Sequence, residues 1–375
     1  MHLHEQARTG SDSLPQQSVF SARDTVEAIV ISALREILDV EDLAWSDDPF
    51  DHGLDSIGLL RLTATLHDAL GVDVTMAELA GSSTVEGMAR LARQSSGARG
   101  SVLVRVRSEA SDRPPLFWVH DVGGDVAPIW RTTGELRRDV YGTRAVGLEG
   151  EAPVPVSMEG MAKPLAGAIA ETAGSVPVYV VGFSSGGVLA YEVARQLVAR
   201  RRHVGLLAIV DSATGPPLQK LRNLNEAIAF RLAWVWQRLH EENYTGDVPP
   251  GMVERAERVM REANLDAAGV MQDLKMHGYF PADAPVEALS RRVEVFARTN
   301  EAWRAYRPGR LDIPIIFLRS DDADPGIEDE WRLRSGSSRF EVQDVGGHHD
   351  HSMYTNRCLL DAIRMRLQMA DEERR

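Results

Sequence analysis

The chain has a single cysteine, Cys358, in 375 residues. That excludes an intramolecular disulfide framework and any zinc site built on several cysteines, and it fits a reducing compartment. Cys358 itself reads as a small buried apolar residue on the last helix. No uninterrupted apolar run reaches the length of a membrane span. The opening MHLHEQARTGSDSLPQQSVFSA has no apolar core for a secretory signal and too few basic residues for a transit peptide. A soluble cytoplasmic protein with a disordered tail over residues 1–21 is therefore expected. Lysine is missing from the first hundred residues, which hold 16 Asp and Glu against 7 Arg. Most of the formal net charge of -13 sits there, and this balance argues against nucleic acid or an anionic membrane as the main partner.

What is present divides in two. Hydrophobic residues make up 43% of the chain, enough for a real core, and the length suits two domains of unequal size. From Asp24 the apolar positions Val26, Ile29, Val30, Ala33, Leu34, Ile37 and Leu38 fall on one helical face. A long acidic loop follows. A second helix starts at Ser56, carried by Leu59, Leu62, Leu66 and Leu70, and stops at Gly71. A short MAELAG segment and a helix capped by Thr84 complete a four-helix module over residues 22–93. QSSGARG reads as a linker, 94–100.

Beyond residue 100, short β-branched runs alternate with helical stretches, the pattern of a mostly parallel sheet flanked by helices. Seven runs qualify: VLVRV, PLFWVH, GTRAVG, VPVYVVGF, VGLLAIVD, IPIIFLRS and RFEVQDVGG. Between the fifth and sixth, a helical insertion over about 216–305 is far longer than a crossover helix, which predicts a lid above the carboxyl edge of the sheet.

The stretch VPVYVVGFSSGGVLAYEVARQLV is an apolar strand, then Gly182-Phe183-Ser184-Ser185-Gly186, then a good helix. Five letters alone are weak; the strand and helix around them carry the reading. A serine on a strained strand-to-helix turn needs small neighbours, which Gly182, Gly186 and Gly187 supply. The turn presents Ser184 as a nucleophile and lets the Ser185 N–H meet a developing oxyanion. A serine needs a base, and the cluster VGGHHDHSM follows the last strand, where the base of such a fold belongs. Three adjacent loop histidines, His348, His349 and His351, leave the base open; a metal site would need ligands from other parts of the fold, and none is expected. The acid is either Asp211, closing the fifth run, or one of Asp321, Asp322 and Asp324 after the sixth, and chain order fits both.

Taken together, PLFWVHDVGGDV, AVGLEGE, YVVGFSSGGVLAYEVARQL, LLAIVDSATGPP, YRPGRLDIPIIFLRS and the terminal VGGHH make residues 101–370 resemble the thioesterase domains that end nonribosomal peptide and polyketide synthases. The resemblance implies an α/β-hydrolase fold with Ser184 as acyl acceptor. It favours Asp211 as the acid, with Asp322 the alternative, and points to His349 as the base, with His348 the alternative. That family commonly has a hydrophobic residue three positions after its histidine, whereas Met353 lies four after His349. The resemblance also gives the N–H of Val122 as the second oxyanion donor beside that of Ser185.

DDPFDHGLDSIGLLRL makes the first module resemble an acyl or peptidyl carrier domain, which implies 4'-phosphopantetheine attached to Ser56. A phosphodiester there would face the free N–H groups and positive end of a helix. The implied partners are a phosphopantetheinyl transferase, upstream synthase or synthetase modules or acyl-loading enzymes, and an acyl or peptidyl thioester, with no nucleic acid and no membrane. The two resemblances together imply release of a phosphopantetheine-tethered acyl or peptidyl chain through an ester on Ser184, by hydrolysis or cyclisation. Two rival readings stand beside this chain release: an acyltransferase or esterase acting on untethered substrates, and a non-catalytic docking module.

Overall fold

The computed structural model describes residues 25–70, 72, 74–82, 84–95, 102–107, 111–125, 129, 136–148, 150, 152–215, 286–321, 323–336, 339–349, 353 and 356–373. The expected tail over 1–21 lies outside them. The helical module comprises α1 (Thr25–Leu38), α2 (Ser56–Leu70), α3 (Met76–Ala80) and α4 (Val85–Ser95). Leu59, Leu62, Leu66 and Leu70 of α2 are buried against Ile29, Val30 and Leu34 of α1 and Met88 of α4, so the i, i+3, i+4 spacing read from the sequence is the packed face. The helix starts are capped locally. Thr75 and Glu78 form a reciprocal capping box, and the Thr84 hydroxyl accepts the Gly87 N–H at 3.0 Å.

The second part is a seven-stranded sheet of β1 (Leu103–Arg107), β2 (Leu116–Val119), β3 (Val140–Thr143), β4 (Val178–Phe183), β5 (Val204–Val210), β6 (Ile315–Arg319) and β7 (Phe340–Asp344). Their order is β1-β3-β2-β4-β5-β6-β7; β1 runs antiparallel to β3 and every other neighbouring pair is parallel. The expected runs become these strands with one displacement. The third strand is VYGT rather than GTRAVG, because after Thr143 the chain leaves the sheet and the Ala145 N–H bonds the Gly124 carbonyl at 2.9 Å. Apolar side chains fill both faces of β4: Val178 and Val180 point into one cluster with α5 (Met158–Ala173) and α6 (Ser185–Ala199), Tyr179, Val181 and Phe183 into another with α9 (Arg357–Glu372). This two-sided burial is why parallel strands read as continuous apolar runs.

Cys358 lies on α9 as expected, but it is exposed rather than buried, because Leu359, Leu360 and Ile363 take the inward stripe. Of the expected lid, residues 216–285 lie outside the described residues, and its last part is α7 (Val286–Ala305). That helix is tied to the body. Arg291 Nε donates to the Leu148 carbonyl at 3.2 Å, Trp303 Nε1 to the Ala213 carbonyl at 3.1 Å, and just beyond its end the Tyr306 hydroxyl donates to Glu192 Oε2 at 2.5 Å. A short α8 (Asp329–Arg334) precedes β7. The helical module lies against the sheet edge, with α2 beside β1 and its apolar residues in the same cluster as Val104 and Val106. Among the described residues no helix is long and apolar enough to cross a membrane.

Candidate active site

Ser184 stands between β4 and α6 with φ 53° and ψ -128°. A non-glycine residue holds such a conformation only where its surroundings over-determine it. Here its N–H bonds the Val210 carbonyl at 3.0 Å and its carbonyl accepts the Gly187 N–H at 2.9 Å. The flanking glycines are required by contact. A Cβ on Gly182 would lie 2.1 Å from the Gly186 carbonyl oxygen, and one on Gly186 would lie 2.8 Å from the His120 carbonyl oxygen. The start of α6 is thereby pressed against the end of β2, bringing it to the loop that carries Val122.

Asp211 follows β5, is 1% exposed and has φ 46°. Among the described residues it is Asp211 that meets the histidine: His349 Nδ1 lies 2.6 Å from Asp211 Oδ2, and His349 Nε2 lies 3.0 Å from Ser184 Oγ. An ionised carboxylate only accepts, so Nδ1 carries the proton and Nε2 faces the serine with its lone pair. Burial pushes the Asp211 carboxyl up, but hydrogen bonds from His349 and from Ser320 outweigh it and hold the group below the usual carboxylate range. The Phe183 ring sits against His349, centroids 4.9 Å apart, and restricts the imidazole to this orientation.

Of the other candidates, His348 is exposed and is not the ring that meets Ser184 and Asp211. Asp321 has a different role: its carboxylate accepts the Gly347 N–H at 3.0 Å and its own N–H bonds the Gly347 carbonyl at 3.0 Å, clipping the histidine loop to the end of β6. Asp324 bonds through its backbone carbonyl to the Ile327 N–H in a turn. Asp322, Asp350 and His351 lie outside the described residues. Gly346 and Gly347, at φ 65° and 79°, turn the chain so that His349 points back over the sheet, and Asn356 Nδ2 donates to the Gly346 carbonyl at 3.0 Å. The offset of Met353 does not displace the loop, since Met353 is buried beneath it.

Two positioning groups are not announced by the sequence. Ser320, closing β6, donates its hydroxyl to Asp211 Oδ2 at 2.6 Å. His120, buried at the end of β2, engages Thr143 Oγ1 through both its N–H, at 3.0 Å, and Nδ1, at 2.7 Å, and fixes the start of the 120–125 loop. Burial pushes His120 down to about 4, so the ring is neutral, and its two contacts with Thr143 make it a strut for the loop. Neither residue has a spacing signal; the HDVGG stretch alone points to the loop. Ser185 lies in the first turn of α6, where backbone N–H groups lack helical partners, and Val122 is half-buried in the facing loop.

Ser56 opens α2 with its side chain exposed. Asp55 accepts the Gly58 N–H at 2.8 Å, and the first turn contains no acid. An accessible hydroxyl at a helix start, where Asp55 takes the Gly58 N–H and the helical residues of the first turn include no acid, fits a covalently attached phosphodiester. Ile57 and Leu60 project beside it, 68% and 59% exposed.

The family described as thioesterase domain matches residues 114–352, and the family described as phosphopantetheine attachment site matches residues 24–92. A dimodular nonribosomal peptide synthase of Bacillus subtilis is 29% identical over 322 residues, covering 83% of this chain and 13% of that protein. Indigoidine synthase of Streptomyces lavendulae is 28% identical over 341 residues, covering 88% of this chain and 25% of that protein. The chain therefore spans a quarter or less of the length of these two relatives. Among solved structures, a holo four-domain nonribosomal peptide synthetase bound to AMP and glycine shares the fold with a TM-score of 0.76 at 22% identity, over 92% of this chain and 26% of that one.

Proposed function

The chain belongs to the thioesterase-domain family and carries a phosphopantetheine attachment domain ahead of it; from this we propose that it releases a tethered acyl or peptidyl chain through an ester on Ser184, as the terminal step of nonribosomal peptide or polyketide assembly. The observation that carries the proposal is the unbroken relay from Asp211 through His349 to Ser184, at 2.6 and 3.0 Å. We divide the chain into a carrier at 22–93, a linker at 94–100 and a hydrolase domain at 101–370 with its lid at about 216–305.

In this reading Ser56 holds 4'-phosphopantetheine, which supplies a terminal thiol able to carry the acyl group as a thioester. Ser184 Oγ attacks the thioester carbonyl while His349 Nε2 takes its proton, and Asp211 stabilises the imidazolium and keeps its tautomer. The backbone N–H groups of Ser185 and Val122 stabilise the tetrahedral oxyanion. When the C–S bond breaks, His349 returns the proton to the departing sulfur, leaving an acyl-Ser184 ester. Water, activated by the same histidine, releases a free acid; an internal hydroxyl or amine releases a ring. Holding both partners in one chain makes the encounter intramolecular. The partners we assign are a phosphopantetheinyl transferase acting on Ser56 and upstream synthase or synthetase modules, or acyl-loading enzymes, in the cytoplasm.

The test is intact-protein mass spectrometry on wild type and Ser184→Ala after a phosphopantetheinyl transferase has loaded acyl groups from acyl-coenzyme A. Acyl-arm mass on Ser56 in both, lost with time only from wild type, supports the proposal, and the product mass separates hydrolysis from cyclisation. Equal release from both proteins overturns it.

A further inference from the structure

Asp125 closes the loop that starts at His120 and carries Val122. It is buried, and its two oxygens serve different parts of the molecule: Thr25, the first residue of α1, donates its hydroxyl to Oδ1, and Arg292 of α7 donates to Oδ2 at 2.8 Å. Burial pushes the Asp125 carboxyl up, yet Arg292 and Arg144, with the Thr25 hydrogen bond, hold it at about 2, so it stays ionised at any working pH. The neighbouring Gly124 has φ 74°, and a Cβ there would lie 2.8 Å from Val295 Cγ1, so α7 rests directly on this loop. Thr25 is itself only 3% exposed.

We propose that Asp125 is the register point for carrier docking: Arg292 fixes the carboxylate against α7, and the carboxylate then holds α1 through one directional hydrogen bond, beside the loop that carries Val122. Elsewhere among the described residues the two parts meet where α2 lies beside β1, through the apolar cluster around them and the charges of Asp68 and Arg105, contacts less directional than a hydrogen bond. A hydrogen bond to a carboxylate whose other oxygen is held by Arg292 is charge-assisted and directional, and it favours one orientation of α1 within that area. The inference rests on the chain-release reading for its consequence, since orientation matters to turnover only if cargo on Ser56 must reach Ser184.

Thr25→Val removes the donor and keeps the side-chain shape, and is measured in the full chain with the arm attached. Amide hydrogen exchange of β1, which α2 lies beside, is expected to rise about tenfold while the interior strand β5 is unchanged. Single-turnover release from the chain's own carrier is expected to fall about tenfold, with cleavage of a small free acyl thioester within about twofold of wild type. Unchanged exchange at β1 overturns the proposal whatever the activity. So does an equal slowing of tethered and free substrates, which would make Asp125 a support of the Val122 loop alone. A wild-type chain that cleaves the free thioester but never discharges Ser56 counts against chain release, and exchange at β1 then decides the role of Asp125 by itself.

Discussion

Ser320 and His349 share one oxygen of Asp211: the serine hydroxyl and the imidazole Nδ1 each lie 2.6 Å from Oδ2, while the Ser320 N–H addresses Oδ1 at 3.4 Å. The residues come from the ends of β6 and β7, so the acid after β5 is held by the two strands beyond it. The arrangement fixes the carboxylate plane and with it the direction of the histidine.

Ser320→Ala tests that positioning role through pH. The Asp211 carboxyl is lowered in the folded chain despite its burial, so its contribution to stability is complete above the unfolded carboxylate value of about 3.9 and is lost as pH falls through the lower folded value. Removing the Ser320 hydroxyl narrows that gap, and the acid limb of both stability and activity should move to higher pH. We expect kcat on a small free thioester to fall about 3- to 10-fold with KM unchanged. A wild-type acid limb together with wild-type kcat would make Ser320 a space-filling residue.

The histidine pair allows a sharper contrast. His349→Ala should reduce kcat/KM by about a thousandfold or more, since it removes the base and leaves only oxyanion stabilisation and binding. His348→Ala, one residue away and exposed, should stay within about threefold of wild type. Steady-state hydrolysis of a free acyl thioester checks both, and equal losses would mean that the loop, not the ring of His349, is what the reaction needs.

Glycine at 186 is a matter of space rather than flexibility. A methyl group would meet the carbonyl oxygens of His120 and Val119 at 2.8 and 2.9 Å, both of them backbone atoms that cannot rotate away. Gly186→Ala should therefore lower unfolding free energy by roughly 2–4 kcal/mol and disturb the approach of α6 to the Val122 loop. Urea unfolding followed by tryptophan fluorescence measures the first effect. A midpoint equal to wild type would show that the elbow relaxes more easily than its packing implies.

Much of this architecture is legible in the sequence. The inner strands are legible because burial on both faces writes itself as a continuous hydrophobic run, while the edge strands β1 and β7, partly exposed, show as short β-branched runs; the leucine spacing likewise marks α2 from Ser56. The serine turn is legible because three glycines at one bend mark a place where backbone must pass close to backbone. What stays hidden depends on which strand ends lie side by side. Asp211 and Asp321 both follow strands, and only the inclination of the β7 loop gives His349 to the first and the Gly347 N–H to the second. Ser320 carries no signal of its own, and Thr25, Asp125 and Arg292 meet across separations of 100 and 167 residues with nothing in their spacing to announce it. The third strand departs from its expected run for a related reason: where β3 ends is set by the Ala145 bond to Gly124, a contact between loops.

The attachment of α7 to α6 can be measured apart from catalysis. Glu192 is 2% exposed and accepts from Tyr306 at 2.5 Å, from Arg195 at 2.8 Å and from Gln196 at 3.0 Å. Burial and the adjacent Glu192 raise the Tyr306 hydroxyl far above its ordinary value, so it remains a donor at every working pH. Tyr306→Phe leaves the ring packed and leaves Glu192 with its two other donors, so the loss should be that of one hydrogen bond to a charged group, about 1.5–3 kcal/mol. Glu192→Gln removes the charge from the same bond, and the double variant closes a thermodynamic cycle in which the coupling between positions 192 and 306 should exceed about 1 kcal/mol. Urea unfolding of the four proteins supplies the numbers. A coupling near zero would mean that the end of α7 is held by Trp303 and its bond to the Ala213 carbonyl, with the Tyr306 hydroxyl merely accommodated.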